Sequence, residues 1–598
     1  MTSHFSIGTI LLDDATATTD RKSRLYENPK RVLKAYTLSS AQEVVDEISL
    51  AQKNGQYVVA LLNYDLGLAI QNLYYHPNTL LLEAYFYDNV NKLKQEEVEE
   101  YLKQRSSSEP AGLLGIQHSI DQDEFSKAIS RIQELIRDGQ TYQVNFTYPI
   151  TGYSYGSPVD LYQGLKNQQP APFGAFIVKE NGYVLSFSPE WFIQHQQGIL
   201  CAKPMKGTAK ASESGIEELQ NDPKNQAENL MIVDLLRNDL GRVSESGSVE
   251  VPTLFEVTQH GQVLQMTSTV TSTMKRSTSL WDVLQAVFPC GSVTGAPKRK
   301  TMEIISELEN TPRGLYCGAI AWFDPTPNEQ DQGDFAMSVV IRTLEIDHQN
   351  QFQMGVGSGI TIDSNAADEW RECQIKTSFI TARPQLGLFE TIRVENRTPQ
   401  LLEDHLNRLR TSAQSLRIPF DRQKIIEKLH QHTASLDLGV VYRLRLDLDP
   451  VGIIQIQTTP LPPLMGQQKV VLASNILESY QATRTTDLLL QHKVTRRGLY
   501  DIAWKKAEER GCFDAIFINE QGHLTEGGRT NLFIKQEGNW YTPPLSDGCL
   551  AGVMRSRLLK DPQMKPSERS LTIDDLMHAE EIILCNALRG AIPVIIES

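Results

Sequence analysis

The sequence changes character once, in the stretch QIKTSFITARPQLGLFETIRV between residues 374 and 394. A helical pattern ends near Ile380, Pro384 breaks it, and a strand–turn–helix pattern starts at Leu388. With 598 residues the chain is too long for one ordinary domain, and this break divides it into parts of residues 1–382 and 383–598. No Gly/Ser-rich or Pro-rich run accompanies the break, so the two parts are expected to be joined closely. No repeat of solenoid period is visible.

The first part divides further into an N-terminal region, 1–110, and a core, 111–382. The N-terminal region closes on the charged tract NKLKQEEVEEYLKQRSSSEP, which reads as a solvated helix followed by a loop. Beyond it, DQDEFSKAISRIQELIRDGQ reads as a helix that leads into strand-like TYQVNFTYPI. Strands and helices then alternate without βαβ spacing, which predicts an α+β fold rather than a doubly wound sheet.

Charge and cysteine content exclude several classes of function. A formal net charge of -15 offers no global attraction to nucleic acid or to an anionic membrane, so any positive site must be local. Seven scattered cysteines without a CxxC pair read as reduced thiols, neither a disulfide frame nor a zinc site. The start MTSHFSIGTILLDDATATTD lacks a basic segment followed by an apolar one, and no apolar run approaches the ~20 residues that span a bilayer. The expectation is a soluble cytoplasmic protein.

Several segments carry candidate chemistry on spacing alone. DPKNQAENLMIVDLLRNDL places Glu228 near the start of a predicted helix. AADEWRECQIKTS puts Glu369, Glu372 and Lys376 on one helical face. Carboxylates from two helices suit a hard cation such as Mg²⁺, although the same spacing also describes a solvated face with a Glu–Lys pair. The glycine-rich CGSVTGAPKRK and GVGSGI segments present either anion-binding amides or plain turns. In KPMKGTAK, Gly207 and Thr208 suit a tight turn, and Lys206 is either a solvated charge or a reactive amine.

Taken together, FSPEWF (187–192), PMKGT (204–208), AENLMIVDLLRNDLGRV (227–243), GSVTGAPK (291–298), RGLYCGAIAW (313–322), IRTLE (341–345) and GSGITIDS…DEWRECQIK resemble, in order, the chorismate-binding family. That family includes anthranilate, aminodeoxychorismate, isochorismate and salicylate synthases. The resemblance implies an α/β sandwich of the anthranilate synthase kind. It implies Mg²⁺ held by Glu228 and Glu372, with Glu369 beside them. Thr294, Tyr316, Arg342, the Gly357 backbone and Lys376 would bind the substrate, and Glu190 would be a general acid.

The positions that differ among family members choose the reaction. Gln143 stands where the water-activating synthases carry a lysine, and an amide cannot act as a base. Lys206 stands where anthranilate synthases carry alanine, and resembles the nucleophile that adds to C2 of chorismate before ammonia enters at C4. Lys203 and Lys210 are candidate neighbours that would favour its neutral form. Gln265 replaces the histidine linked to pyruvate elimination, so this part is expected to stop at a non-aromatic aminated product. Asn225 replaces an acidic residue found in some relatives.

In the second part, Lys493 in LLLQHKVTRRGLYDIA reads by itself as one cation of a basic patch. With LFETIRV (388–394), LEDHLNRLRTSAQSL (402–416), LTEGGRTNLFI (524–534), LAGVMR (550–555) and EEIILCNALRGAIPV (580–594), it resembles the class IV aminotransferases, which are fold-type IV pyridoxal-phosphate enzymes. The resemblance implies a two-subdomain α/β unit with Lys493 bonded to the cofactor and Glu526 paired with its pyridine nitrogen. Arg408 and the backbone at Val553 and Met554 would hold its phosphate. Ala587 lacks the hydroxyl that many relatives place near the phosphate. CNALRGAIPV is closest to the members that eliminate pyruvate.

The combined expectation is consecutive chemistry: amination of chorismate at C4, then elimination of pyruvate to give 4-aminobenzoate for folate. No glutaminase segment is visible, so ammonia is expected free or from a separate glutamine amidotransferase subunit. Fold-type IV enzymes suggest a homodimer through the C-terminal half. Two rivals stand beside this reading: an anthranilate synthase-like half fused to an amino-acid aminotransferase, and a ligand-binding regulator without turnover.

Overall fold

The computed structural model describes residues 5–16, 23–107, 110–210, 215–260, 263–326, 332–381, 386–478, 480–495 and 497–597. Pro384 lies outside them, and so do the side chains of Thr208, Ala209 and Lys210. The chain forms two compact units. One comprises residues 1–109, 116–152 and 157–381, and the other residues 110–115, 153–156 and 382–598.

In the first unit the strands assemble into two ten-stranded sheets among the described residues. Antiparallel pairings build them, as between Gly182–Ser188 and Thr343–Asp347 in one sheet and Tyr57–Leu62 and Ala319–Phe323 in the other. Alternation along Tyr57–Leu62 shows how they stack. Val59 and Leu61 share a core with Ile10, Tyr26, Ala175 and Ile177 of the opposite sheet. Val58, Ala60 and Leu62 instead pack with the helices Leu38–Lys53 and Pro223–Gly241. A strand buried on both faces reads as a continuous apolar run, as YVVALL does, and each such side chain contributes about 1.5–3 kcal/mol on burial.

Two helices of this unit carry the candidate carboxylates. Pro223–Gly241 starts from Asp222, whose side chain accepts from the Asn225 amide, and Pro223 occupies the first helical position, where no N–H is needed. Its Asn229 accepts a 2.5 Å hydrogen bond from Ser268, tying the helix to the strand Val263–Thr273. Ala366–Lys376 is capped by Asn365, which accepts from the Ala367 and Asp368 amides. Trp370 anchors that helix by stacking on Tyr148 at 5.6 Å and meeting Phe125 at 5.3 Å.

The second unit has two layers of strands with helices. A four-stranded antiparallel sheet contains Leu388–Glu395, Tyr442–Leu448 and Ile454–Pro460, backed by the helices Leu402–Ser415 and Arg422–Ala434. An eight-stranded mixed sheet pairs Gln468–Leu472 in parallel with both Asp514–Ile518 and Gly590–Ile596. The seven cysteines are free thiols, six of them buried. Among the described residues no helix is long and apolar enough to cross a membrane.

Candidate active sites

Lys206 lies on the strand Met205–Lys210, not in a tight turn. Gly207 follows at φ +80°, in the left-handed region that favours glycine, and the pairing with Val263–Thr273 shifts register between Lys206 and Thr208. The bulge re-aims the side chain. Lys206 Nζ is 3.8 Å from Glu228 Oε2, and both side chains are mostly buried. A methyl group added at Gly359 would meet Gln143 Nε2 at 2.5 Å and Lys206 Nζ at 3.3 Å, so Gly359 is the bare floor beneath both side chains. Both polar atoms of the buried Gln143 amide lack a hydrogen-bond partner. Asn225 faces the bulge, 3.0 Å from where a Gly207 methyl would stand.

The cations expected to flank Lys206 stand elsewhere or are not described. Lys203 Nζ sits over the Trp191 ring at 5.4 Å, an orientation favoured by the quadrupole of the indole, and the Lys210 side chain is outside the described residues. The identified near neighbours of Lys206 are a carboxylate and an amide.

Glu190 is buried and accepts a 2.5 Å hydrogen bond from Ser292 at Oε1. Burial raises its pKa above the ordinary carboxylate value, opposed by the Ser292 bond and by the charges of Lys206, Lys376 and Arg342. One acid and three cations therefore share one field. Arg342 follows the strand Phe335–Val339 in a left-handed backbone conformation, φ 51°, an uncommon state for a bulky residue. Among the described residues its guanidinium makes no ion pair, and burial lowers its pKa, with Glu190 opposing. A half-buried guanidinium in that condition suits an anion.

The remaining candidates divide. Lys376 donates to the Gly357 carbonyl at 2.9 Å and pairs with Glu372 at 2.7 Å. Burial tends to raise the pKa of Glu372, but Lys376, Lys206 and Lys224 together bring it below the ordinary value. The Tyr316 ring lies flat against Gly355, where a methyl would come within 2.1 Å of it. Thr294 is turned away from ligand binding: its hydroxyl donates to the carbonyls of Cys290 and Gly291, and serves the turn. Glu369 is also committed elsewhere, because Ser358 and Ser364 both donate to its carboxylate. Glu228, 3.8 Å from Lys206, and Glu372, paired with Lys376, are carboxylate oxygens of the kind that suit Mg²⁺. Among the described residues no group of three or more His, Cys, Asp or Glu side chains forms a complete metal cage.

In the second unit Lys493 precedes the helix Gly498–Glu509, and its backbone carbonyl accepts from the Phe389 amide at 3.0 Å. Its amine stands 4.6 Å over the Phe389 ring. Burial, with help from Arg497 and Arg408, lowers its pKa to about 7, against the opposing charges of Glu390 and Glu526. A lysine that is half neutral near pH 7 is suited to bond an aldehyde.

Arg408 makes two hydrogen bonds to Glu390, at 2.8 and 2.6 Å, and one to the Ala551 carbonyl at 3.3 Å. His405 adds a 2.7 Å contact to Glu390. Burial works to raise the Glu390 pKa, but these partners outweigh it and bring it to about 2. Val553 and Met554 open a short helix after Gly552, where first-turn amides have no intrahelical acceptor. Glu526 is buried, and the Leu550 amide and the Asn531 side chain donate to its Oε2 at 3.0 and 3.3 Å. The reactive amine, buried carboxylate, guanidinium and open amides fit pyridoxal phosphate as a set.

The sequence reading gave no role to Ser292, Glu390, His405, Asn531 or Arg497. Each stands in or beside a recognised segment, but only the fold shows which acid or base it touches.

Known proteins match along the same division. The chorismate binding enzyme family matches residues 9–382, and the class IV aminotransferase family matches residues 387–595. Over 260 residues the chain is 40% identical to an aminodeoxychorismate synthase component 1 of Klebsiella aerogenes, covering 42% of this chain and 56% of that one. The corresponding protein of Bacillus subtilis is 35% identical over 268 residues, with 44% and 55% coverage. The chain thus spans about half the length of these curated relatives. Anthranilate synthase component I of Streptococcus pneumoniae shares the fold, with a TM-score of 0.53 at 24% identity over 61% of this chain and 93% of that one. The chain belongs to the chorismate binding enzymes, and carries a class IV aminotransferase domain after that region.

Proposed function

We propose that the chain makes 4-aminobenzoate from chorismate in two consecutive steps, one in each unit. The observation that carries this reading is the placement of Lys206 on a bulged strand beside Glu228, in the same field as Glu190, Arg342 and Lys376. A dianionic substrate suits the two cations, and Lys206 supplies a nucleophile that Gln143 cannot.

In the first step Nζ of Lys206 bonds to C2 of the ring, and the C4 hydroxyl departs with the proton of Glu190. Ammonia then bonds at C4 and the bond to Lys206 breaks, which restores the amine. Mg²⁺ held by Glu228 and Glu372 would neutralise the ring carboxylate. Arg342 and Lys376 bind and orient the carboxylates of the substrate. Gln265, buried on the strand beside Lys206, has no basic group to take a ring proton, so the product keeps its enolpyruvyl group.

In the second step pyridoxal phosphate, when bound, supplies an aldehyde for the substrate's 4-amine and a ring that stores electrons. Arg408 with the amides at Val553 and Met554 would hold its phosphate, and Glu526 its ring nitrogen. Lys493 takes the C4 proton, the enolpyruvyl group leaves as pyruvate, and the ring becomes aromatic. We further infer a cytoplasmic homodimer paired through the C-terminal half, supplied with ammonia by a separate glutamine amidotransferase subunit. The name component 1 carried by the relatives supports a separate second component.

Product analysis tests this reading. The full chain incubated with chorismate, ammonium, Mg²⁺ and pyridoxal phosphate is expected to release 4-aminobenzoate and pyruvate in equal amounts. Release of 2-aminobenzoate, or transfer of an amine to a keto acid, would instead support the anthranilate synthase and aminotransferase pairing. Absence of turnover and of cofactor absorbance would mark a ligand-binding regulator.

A further inference from the structure

Arg408 is fixed by the protein along one edge of its guanidinium. That group carries five N–H donors in a rigid plane. Nε and NH2 of Arg408 each donate to Glu390, at 2.8 and 2.6 Å, and NH1 donates to the Ala551 carbonyl at 3.3 Å. Three donors are thus committed, and two N–H groups have no partner among the described residues. Arg408, Ala551 and Val553 line a cavity of about 680 Å³. A phosphate ester suits such a place, because it takes two parallel N–H donors from one guanidinium.

The residues that fix Arg408 stand where apolar ones would pack. Glu390 lies on the inward row of the strand Leu388–Glu395, between Leu388 and Ile392, both of which belong to an apolar core. Glu390 and His405 are both buried. His405 and Arg408 are three residues apart on the helix Leu402–Ser415, and so share a face. His405 Nδ1 lies 2.7 Å from Glu390 Oε2, where the carboxylate accepts, so the proton is assigned to Nδ1. Nε2 is buried and has no hydrogen-bond partner among the described residues. An imidazole with one orphaned nitrogen fills an apolar layer poorly, and a phenylalanine would fill it with no polar group to bury. What the histidine adds is its bond to Glu390.

We propose that His405 is a positioning residue of the C-terminal site: it fixes the carboxylate of Glu390, which fixes the guanidinium of Arg408 and leaves two N–H donors for a phosphate ester. The inference rests on the reading of this unit as a pyridoxal-phosphate site, and adds the device that orients the phosphate-binding side chain. Oε1 of Glu390 accepts from Arg408, and Oε2 accepts from both Arg408 and His405. The carboxylate cannot turn without breaking one of these bonds. Without His405 it is restrained by Arg408 alone, a long side chain that then moves with it. Glu390 also compensates much of the charge of Arg408, so recognition of phosphate depends on where the remaining donors stand.

The test measures binding rather than turnover. The full chain freed of cofactor is dialysed to equilibrium against pyridoxal phosphate and, separately, against pyridoxal, which lacks the phosphate. Wild type is expected to favour the phosphate ester strongly. His405→Phe is expected to weaken pyridoxal phosphate about tenfold, the order of one lost hydrogen bond to a charged group, with pyridoxal changed less than about twofold. His405→Asn, which returns an N–H donor near the place of Nδ1, is expected to recover most of the difference. Equal weakening of both ligands in His405→Phe would overturn the inference, since a loosened fold and not a turned guanidinium would then be responsible. So would unchanged binding, or a His405→Asn no better than His405→Phe. Thermal unfolding reports whether each variant is folded. Should His405→Phe unfold, Glu390→Asp takes its place: it keeps the charge but withdraws the carboxylate from Arg408. The same selective loss is expected there, and an unchanged preference for the phosphate ester would overturn the inference. A wild type that binds both ligands alike would instead remove the cofactor reading beneath it.

Discussion

Ser292 donates its hydroxyl to Oε1 of Glu190 across 2.5 Å, and so decides which oxygen of that buried acid is free to carry a proton. With Oε1 occupied as an acceptor, the proton resides on Oε2. Ser292→Ala is expected to lower kcat about tenfold, the cost of one lost hydrogen bond to a charged group. The Ser292 bond opposes the effect of burial on Glu190. Its loss is therefore expected to move the alkaline limb of the pH–rate profile to higher pH. A kcat–pH profile with ammonium in excess reads both effects, and a rate loss with an unmoved limb would mean that Ser292 only supports the turn.

Arg342 is half-buried without an ion pair among the described residues, and its backbone is in the left-handed region at φ 51°. Such strain persists where the surrounding structure enforces it. Arg342→Gln is expected to raise KM for chorismate about ten- to a hundredfold, the range for a charge-assisted pair, with a smaller change in kcat. Initial-rate kinetics check it. Unchanged KM would place the substrate's carboxylates elsewhere.

Glu390 ties His405 and Arg408 together, and its pKa falls from 4.5 to about 2 on folding. A depressed carboxylate contributes stability that is fully present above the unfolded value and lost as pH falls through the folded one. The contribution is thus present above about pH 4.5 and disappears towards pH 2. Glu390→Gln is expected to destabilise the C-terminal unit at neutral pH and to flatten its acid limb over that window. Denaturant titrations at several pH values, read on tryptophan fluorescence and on cofactor release, measure this. A constant difference between the two proteins at all pH values would contradict it.

Much of this arrangement is legible in the sequence. The helix carrying Glu228, the helix carrying Glu372 and the break near Pro384 each follow from local rules. Lys206, Glu190, Arg342, Lys493, Glu526 and Arg408 could be named because each stands in an ordered set of segments. What the segments could not show was hydrogen-bond allegiance. Thr294 and Glu369 have the right chemistry, but spend it on a turn and on two serines. Lys203 lies three residues from Lys206 and settles on Trp191, which is remote enough in sequence that no spacing rule reveals it. The bulge at Gly207 was read as a turn because a glycine at φ +80° serves either, and only the register against residues 263–273 distinguishes them.

Lys493 separates the two proposed steps. Lys493→Ala is expected to abolish pyruvate release while chorismate is still consumed, so that an aminated, non-aromatic product accumulates. The lysine is half-buried beside Phe389 in the second unit, and the variant changes no residue of the first. Chromatography with mass detection follows both species. Continued release of 4-aminobenzoate would assign the elimination to another group.

The most direct test of the whole account is the output of Lys206→Ala. The full chain carrying that single change is given chorismate, ammonium, Mg²⁺ and pyridoxal phosphate, and 4-aminobenzoate is quantified against wild type. Lys206 stands on the bulge 3.8 Å from Glu228, within the field of Glu190. If it is the nucleophile, 4-aminobenzoate falls by at least a hundredfold, or about 2.7 kcal/mol of transition-state stabilisation, while added aminated intermediate is still converted. Undiminished 4-aminobenzoate from chorismate would contradict the account, because no covalent bond to Lys206 would then lie on the path.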